Sequence, residues 1–245
     1  MRTPGVRRWM GLSALAVALF LTIEVAAKLT TGRRPDLDDS EALVSHVQET
    51  SGPIFLVIFA DTFLMASLIV FLACFRQLVT TARPELQWIA DIFFGAGIAF
   101  VSVTLVGDAM DGGAALDVIG LEPDPSAIRA LIEGHAILFG SAGAVLLALV
   151  SGTGALLTFA SGVVPRWTGT LAVLTSLSNL AWAPMGFTGT SPDSFFASGG
   201  FGNAMLAVFP WLLWVICVGV ATIRGRRSGR SLSGAPRGIG ETALG

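Results

Sequence analysis

The chain has 245 residues, of which 53% are hydrophobic and only 13% charged, with 15 Lys and Arg against 17 Asp and Glu. So few charges cannot cover a soluble domain of this size, and the longest basic cluster is a short tail, so nucleic acid is not expected as a partner. Cys74 and Cys217 have no metal-ligand spacing and read as packing residues.

Taken in chain order, six apolar runs stand out, at about 9–29, 53–75, 86–107, 127–150, 167–187 and 201–223. Each reaches about 20 residues, and at ~1.5 Å of rise per residue that matches a hydrocarbon core of ~30 Å. The expectation is an all-α, polytopic transmembrane helix bundle over residues 1–224, followed by a disordered basic tail at 225–245. The first run has a second reading as a signal peptide, because Arg7 and Arg8 precede it and Val25-Ala26-Ala27 resembles a cleavage site. Five spans would then remain.

Between the runs, the acidic connection at about 30–52 is expected to hold a short amphipathic helix around 41–47, with His46 in a loop. Asp124 followed by Pro125 reads as an N-cap and first helical residue opening the fourth run. That run carries Ala136, Gly140, Ala144, Ala148 and Gly152 four apart, a stripe that permits close backbone approach. It is therefore expected to be central, tilted or extended, and loosened at Ser151-Gly152-Thr153-Gly154. Pro210 is expected to kink the sixth run.

Orientation follows from the basic residues. The N-terminus (Arg2, Arg7, Arg8), the second connection (Arg76, Arg83), the fourth (Arg166) and the tail (Arg224, Arg226, Arg227, Arg230, Arg237) hold eleven of the 15. The positive-inside rule makes that side cytoplasmic, with both termini inside and Trp9, Trp88 and Trp167 at the inner interface. The first, third and fifth connections carry most of the acids, among them Asp36, Asp38, Asp39, Asp117, Glu122 and Asp193.

Ionisable groups inside spans are costly, which makes them the place to look for function. Glu24, Asp61, Asp91, Glu133 and His135 fall within runs, with Lys28 and Asp108 at run ends. Asp61 and His135 lie at similar depths below the outer face, Glu24 is shallower, Asp108 is near an outer end, and Asn179 is in the outer half of the fifth run. The expected ligand-binding set is thus Glu24, Asp61, Asp108, His135 and Asn179, around an outer-facing, water-filled pocket. Glu24–Lys28 and Arg129–Glu133 have the spacing of helix ion pairs, and Arg76 or Arg83 can neutralise Asp91. Asp61 has no opposite charge within a turn. No catalytic residue, metal set or cofactor motif is read from the chain.

The phrase Ser161-Gly162-Val163-Val164-Pro165-Arg166-Trp167-Thr168-Gly169-Thr170-Leu171, with the span order and the acidic first outer loop, resembles uncharacterised bacterial six-helix integral membrane proteins grouped as a domain of unknown function. The resemblance implies a layout and no activity. The expectation is a multi-pass protein of the bacterial inner membrane, partnered by the lipid bilayer and binding a small molecule, ion or lipid. A small transporter or proton-coupled permease using Asp61 is the alternative, and an intramembrane enzyme the third reading.

Overall fold

The computed structural model describes residues 3–120, 122–187, 194–196 and 201–231. The expectations for Asp193 and for the tail from 232 onward lie outside them. The described chain is all-α: α1 (Thr3–Thr30), α2 (Ser40–Ala82), α3 (Gln87–Ile119), α4 (Pro125–Ile137), α5 (Gly143–Ser161), α6 (Arg166–Trp182) and α7 (Phe209–Ser231). A π-helical segment, Leu138–Ala142, joins α4 to α5 into one rod, and a second, Asn203–Val208, leads into α7. Five helices are long and apolar enough to cross a membrane: Gly5–Thr30, Ser40–Ala82, Pro84–Ile119, Pro125–Ser161 and Asn203–Arg224. The run at 167–187 is the exception. Its α-helical part, α6, has 17 residues, and Thr168, Thr170, Thr175, Ser176, Ser178 and Asn179 dilute its apolar character.

The rods close into a ring. Each packs against the next in the chain, in the order α1, α2, α3, α4–α5, α6 and α7, and α7 returns against α1. Val6, Met10, Ala14, Val17 and Leu21 of α1 belong to the main core with Phe71, Phe75, Phe93, Leu157, Trp214 and Val218. α1 is therefore a structural wall of this ring. The opposite faces carry Leu19, Phe59, Phe63, Leu105, Leu149, Leu156, Leu174 and Leu213 exposed, an apolar exterior suited to lipid. Trp9, Trp88 and Trp167 are exposed at the N-terminal ends of α1, α3 and α6.

Two helices are longer than the hydropathy runs. α2 has 43 residues, ~65 Å, and runs unbroken through Pro53, so most of the expected 30–52 connection, His46 included, is helical. α3 has 33 residues and continues to Ile119, absorbing much of the connection expected from 108 onward. The reason is packing. Leu43 and Val47 of α2, Ala114, Ala115 and Val118 of α3, and Ile128 and Ile132 of α4 form a second buried cluster with Leu37. That cluster rewards helix where polarity alone suggests loop. Asp39 caps α2 by accepting from the Ala42 amide at 3.0 Å, and Asp124 caps α4 by accepting from the Ser126 amide at 2.9 Å.

The small-residue stripe behaves as its spacing predicts. Gly140 lies under Met185, Ser176 Oγ donates to Ala148 O at 2.8 Å, and a Cβ on Gly152 would meet Ser176 at 3.0 Å. The expected loosening at 151–154 does not occur. Ser151 and Thr153 return their hydroxyls to Leu147 O and Leu149 O within an intact α5, and Gly154 is pressed against Trp214. The irregularity falls about three turns earlier, at Leu138–Ala142. Pro210 likewise acts upstream: it has no N–H for the preceding turn, and the helix before it is π-helical over Asn203–Val208. Gly162 ends α5 in the left-handed region (φ 65°), its amide bonded to Thr158 O at 3.1 Å, which turns the chain into α6.

Two outcomes are expected. Gly154→Val, which places a methyl group about 3.1 Å from the Trp214 ring, should lower stability by about 1–3 kcal/mol in detergent melts. Asp124→Ala should lower the melting temperature at neutral pH. The Ser126 hydroxyl and amide hold the Asp124 carboxyl below its usual 3.8. The contribution is therefore complete above that value and fades as pH falls through the lower folded value, where variant and parent melts should converge.

Candidate functional site

Helical periodicity turns the polar residues inward because they share faces with the core. On α2, Asp61 lies on the face of Leu64, Met65 and Leu68; on α1, Glu24 follows Leu21; on α6, Asn179 precedes Trp182. Asp61 is 1% exposed, Glu24 4%, Asp108 4% and Asn179 0%. Burying such groups costs several kcal/mol unless partners replace water, so their partners define the site.

The Asp61 carboxyl is close enough to the carboxyls of Glu24 and Asp108 and to the Lys28 ammonium to interact with them electrostatically. Two acids in contact form a hydrogen bond only when a proton is shared. One cation is placed among them: Lys28 Nζ pairs with Glu24 Oε1 at 2.5 Å and sits 5.1 Å from the centre of the Phe139 ring. Three carboxyls against one ammonium leave negative charge for protons or a bound cation to neutralise.

A ladder of polar contacts continues toward the end of the bundle where α1 stops and α2 begins. His135 Nδ1 lies 2.9 Å from Gly107 O, next to Asp108. A carbonyl only accepts, so Nδ1 carries the proton and Nε2 faces Asp111 Oδ2 at 3.8 Å. Asp111 in turn lies 3.6 Å from Arg34 in the loop after α1. A Cβ at Gly107 would meet His135 Nδ1 at 3.4 Å, an ordinary van der Waals contact.

At the centre of the ring lies a cavity with about 60 Å³ open to water centres, lined by residues from every rod. That is room for a few waters or part of a small ligand. Its walls are mainly apolar, among them Leu64, Phe100, Phe139, Leu147, Trp182 and Trp211, and its polar groups are Glu24, Asp61, Asn179 and Asn203. Three lining residues carry buried polar atoms without a hydrogen-bond partner among the described residues: Asp61 Oδ1, Asn179 Oδ1 and Trp211 Nε1. The orientation of Asn179 is fixed by chemistry. Its Nδ2 donates to Thr175 O at 2.9 Å, which leaves Oδ1 as the unmet acceptor. Both π-helical segments contribute to the lining, Phe139 from one and Asn203, Ala207 and Val208 from the other. Such segments re-aim side chains and recur at functional sites.

The expected set is thus partly assembled. Glu24, Asp61 and Asn179 line one cavity, and Asp108, outside the lining, interacts electrostatically with Asp61 and Glu24. His135 is not among the lining residues; it is engaged with Gly107 and Asp111 and stacks on Phe139 at 5.6 Å. The expected ion pairs form: Arg76–Asp91 at 2.7 Å and Arg129–Glu133 at 2.9 Å, with Arg129 also 2.9 Å from Asp38. Phe139, Trp182, Asn203 and Trp211 were not legible as lining residues; only Pro210 hinted at irregular backbone near Asn203. Among the described residues no group of three or more His, Cys, Asp or Glu is placed to hold a metal ion.

No protein-family model matches the chain, and neither a curated protein nor a solved structure matches it. The resemblance therefore rests on the 161–171 phrase, the span order and the acidic first outer loop alone.

Lys28→Met should leave the Glu24 carboxyl without its partner and cost about 1–3 kcal/mol in detergent melts. The double variant Lys28→Met/Glu24→Gln should recover part of that loss. A single variant as stable as the parent would show that the pair does not hold the site together.

Proposed function

We propose that this chain is a multi-pass membrane protein that binds a small ligand in the cavity at the centre of its helix ring. The supporting observation is the coincidence of an apolar cavity with Asp61 Oδ1, Asn179 Oδ1 and Trp211 Nε1, all buried on its lining residues and unpartnered among the described residues. Buried polar atoms are rarely left unmet, and a ligand or water that satisfies them removes a penalty of about 1–3 kcal/mol each.

The reading includes an orientation. Six rods cross the bilayer, α6 with the 3₁₀ turn Ala183–Phe187 completing the sixth, and both termini are cytoplasmic by the distribution of arginine. The cavity then lies toward the outer face, in a bacterial inner membrane. The ladder from Asp61 through Asp108, His135 and Asp111 to Arg34 favours a second reading, a proton-coupled permease in which Asp61 changes protonation state.

Ala144 lines the cavity, and Ala144→Leu fills it. Protein purified from its membrane and extracted for mass spectrometry should retain a small molecule that the variant lacks. Identical extracts from the two proteins would sink the binding reading. For the second reading, proteoliposomes should show pH-dependent flux that Asp61→Asn abolishes. Flux that persists in the variant would exclude Asp61 as the coupling group.

A further inference from the structure

The chemistry of the unmet groups narrows the ligand class, on the premise that the cavity binds a ligand. Two of the three unpartnered atoms on the lining residues, Asp61 Oδ1 and Asn179 Oδ1, are acceptors, and a third acceptor, Asp108 Oδ2, is unmet on a carboxyl that interacts with Asp61 from outside the lining. Among the lining residues Trp211 Nε1 is the one unmet donor; Trp214 Nε1 and Thr104 Oγ1 are unmet too but lie on residues outside the lining. The surrounding charge has the same bias. The groups facing Asp61 are the carboxyls of Glu24 and Asp108 and the ammonium of Lys28, with Asp111 beyond, and Lys28 makes its hydrogen bond to Glu24 rather than to Asp61. A carboxylate or phosphate ligand would meet like charge there. A neutral alcohol would supply one donor hydrogen, whereas a primary ammonium supplies three.

The walls exclude a bare inorganic ion. Hard cations take about six to eight oxygen ligands, and most of this lining is hydrocarbon and aromatic. The aromatic rings of Phe100, Phe139, Trp182 and Trp211 suit an apolar body, and their faces attract a cation. The protein contains an internal precedent in Lys28, whose ammonium lies between the Glu24 carboxylate and the Phe139 ring, both on cavity-lining residues. An ammonium on an alkyl stem is therefore accommodated beside this cavity by the chain's own side chain, Lys28 itself lying outside the lining.

We infer that the cavity takes an amphiphilic organic amine, a cationic nitrogen held by Asp61 and Asn179 with a short apolar substituent among the aromatic walls.

Trp182 and Trp211 line the cavity, so tryptophan fluorescence reports its occupancy. The intact protein in lipid nanodiscs is titrated at pH 7 with hexylamine, hexanol and hexanoate, and partitioning into lipid is subtracted with the Ala144→Leu variant. Hexylamine should saturate, hexanol should bind at least about tenfold more weakly, and hexanoate should show no saturation, because the ammonium–carboxylate contact is charge-assisted. Asp61→Asn should weaken hexylamine by about tenfold or more and leave hexanol within about twofold. Asn179→Ala, which keeps the charge cluster intact, should weaken hexylamine by about threefold or more, and it decides the matter if Asp61→Asn does not fold. If hexanol binds as tightly as hexylamine, or if both variants leave hexylamine binding unchanged, the amine class is overturned while binding in the cavity stands. If no probe saturates and Ala144→Leu is indistinguishable from the parent, the binding reading fails and the amine class fails with it.

Discussion

Three carboxyl groups are buried close enough to interact inside this helix ring, and excluding water from them is the constraint that the surrounding structure answers. Glu24 comes from α1, Asp61 from α2 and Asp108 from α3, each less than 5% exposed. An isolated buried carboxylate is unstable by several kcal/mol, so the three are tolerable together only with shared protons or cations within reach. Lys28, one turn beyond Glu24 on the same helix, supplies the first of these. Unmet carboxyl oxygens remain on Asp61 and Asp108, and Asp61, like Glu24, is on the wall of the cavity. The same electrostatics that make the cluster costly thus place an unpartnered carboxyl oxygen, Asp61 Oδ1, on a residue of the cavity wall.

The helices reach this arrangement by departing from regularity where the site requires it. The rod α4–α5 carries small residues against α6, bringing the backbones close at Ala148 and Gly152. One end of that contact is a π-helical turn, which places Phe139 in the cavity wall and beside Lys28 and His135. Across the ring, the π-helical turns before α7 set Asn203 and Trp211 into the same space. Trp182, stacked 5.7 Å from Phe196, joins Ala144 and Met185 in a small cluster on this side of the cavity. Such local rewinding exchanges some backbone hydrogen-bond quality for side-chain placement.

At the acidic end, the extensions of α2, α3 and α4 pack a second cluster around Leu43, Val47, Ala115 and Ile128. Arg34 and Arg129 tie this region together, the first against Asp111 and the second against Asp38 and Glu133. These pairs are part-exposed and individually weak. Their importance is positional, because Asp111 is also the group that faces His135. The rim of the bundle and the buried acids are therefore joined by neighbouring contacts rather than separated by hydrocarbon.

The sequence by itself determined the helical class and the apolar character of the helices, six runs being read where five helices are long and apolar enough to cross a membrane. Of the polar residues it singled out, Glu24, Asp61, Asp108, His135 and Asn179 are buried, whereas Asp91 and Glu133 are not. Hydropathy and helical period carry that information because they depend on residues a few positions apart. Glu24–Lys28, Arg129–Glu133, the Asp124 cap and the packing stripe of α5 were legible for the same reason. Tertiary structure decided the rest. Whether 40–52 and 108–119 are loop or helix depended on the apolar cluster those segments form with one another, which no single window reveals. Helix rotation brought Asp61 against Glu24 and Asp108 and turned His135 instead toward Gly107 and Asp111. Residues at equal depth share a site only if their faces converge, and convergence is set by packing between rods that are distant in the chain.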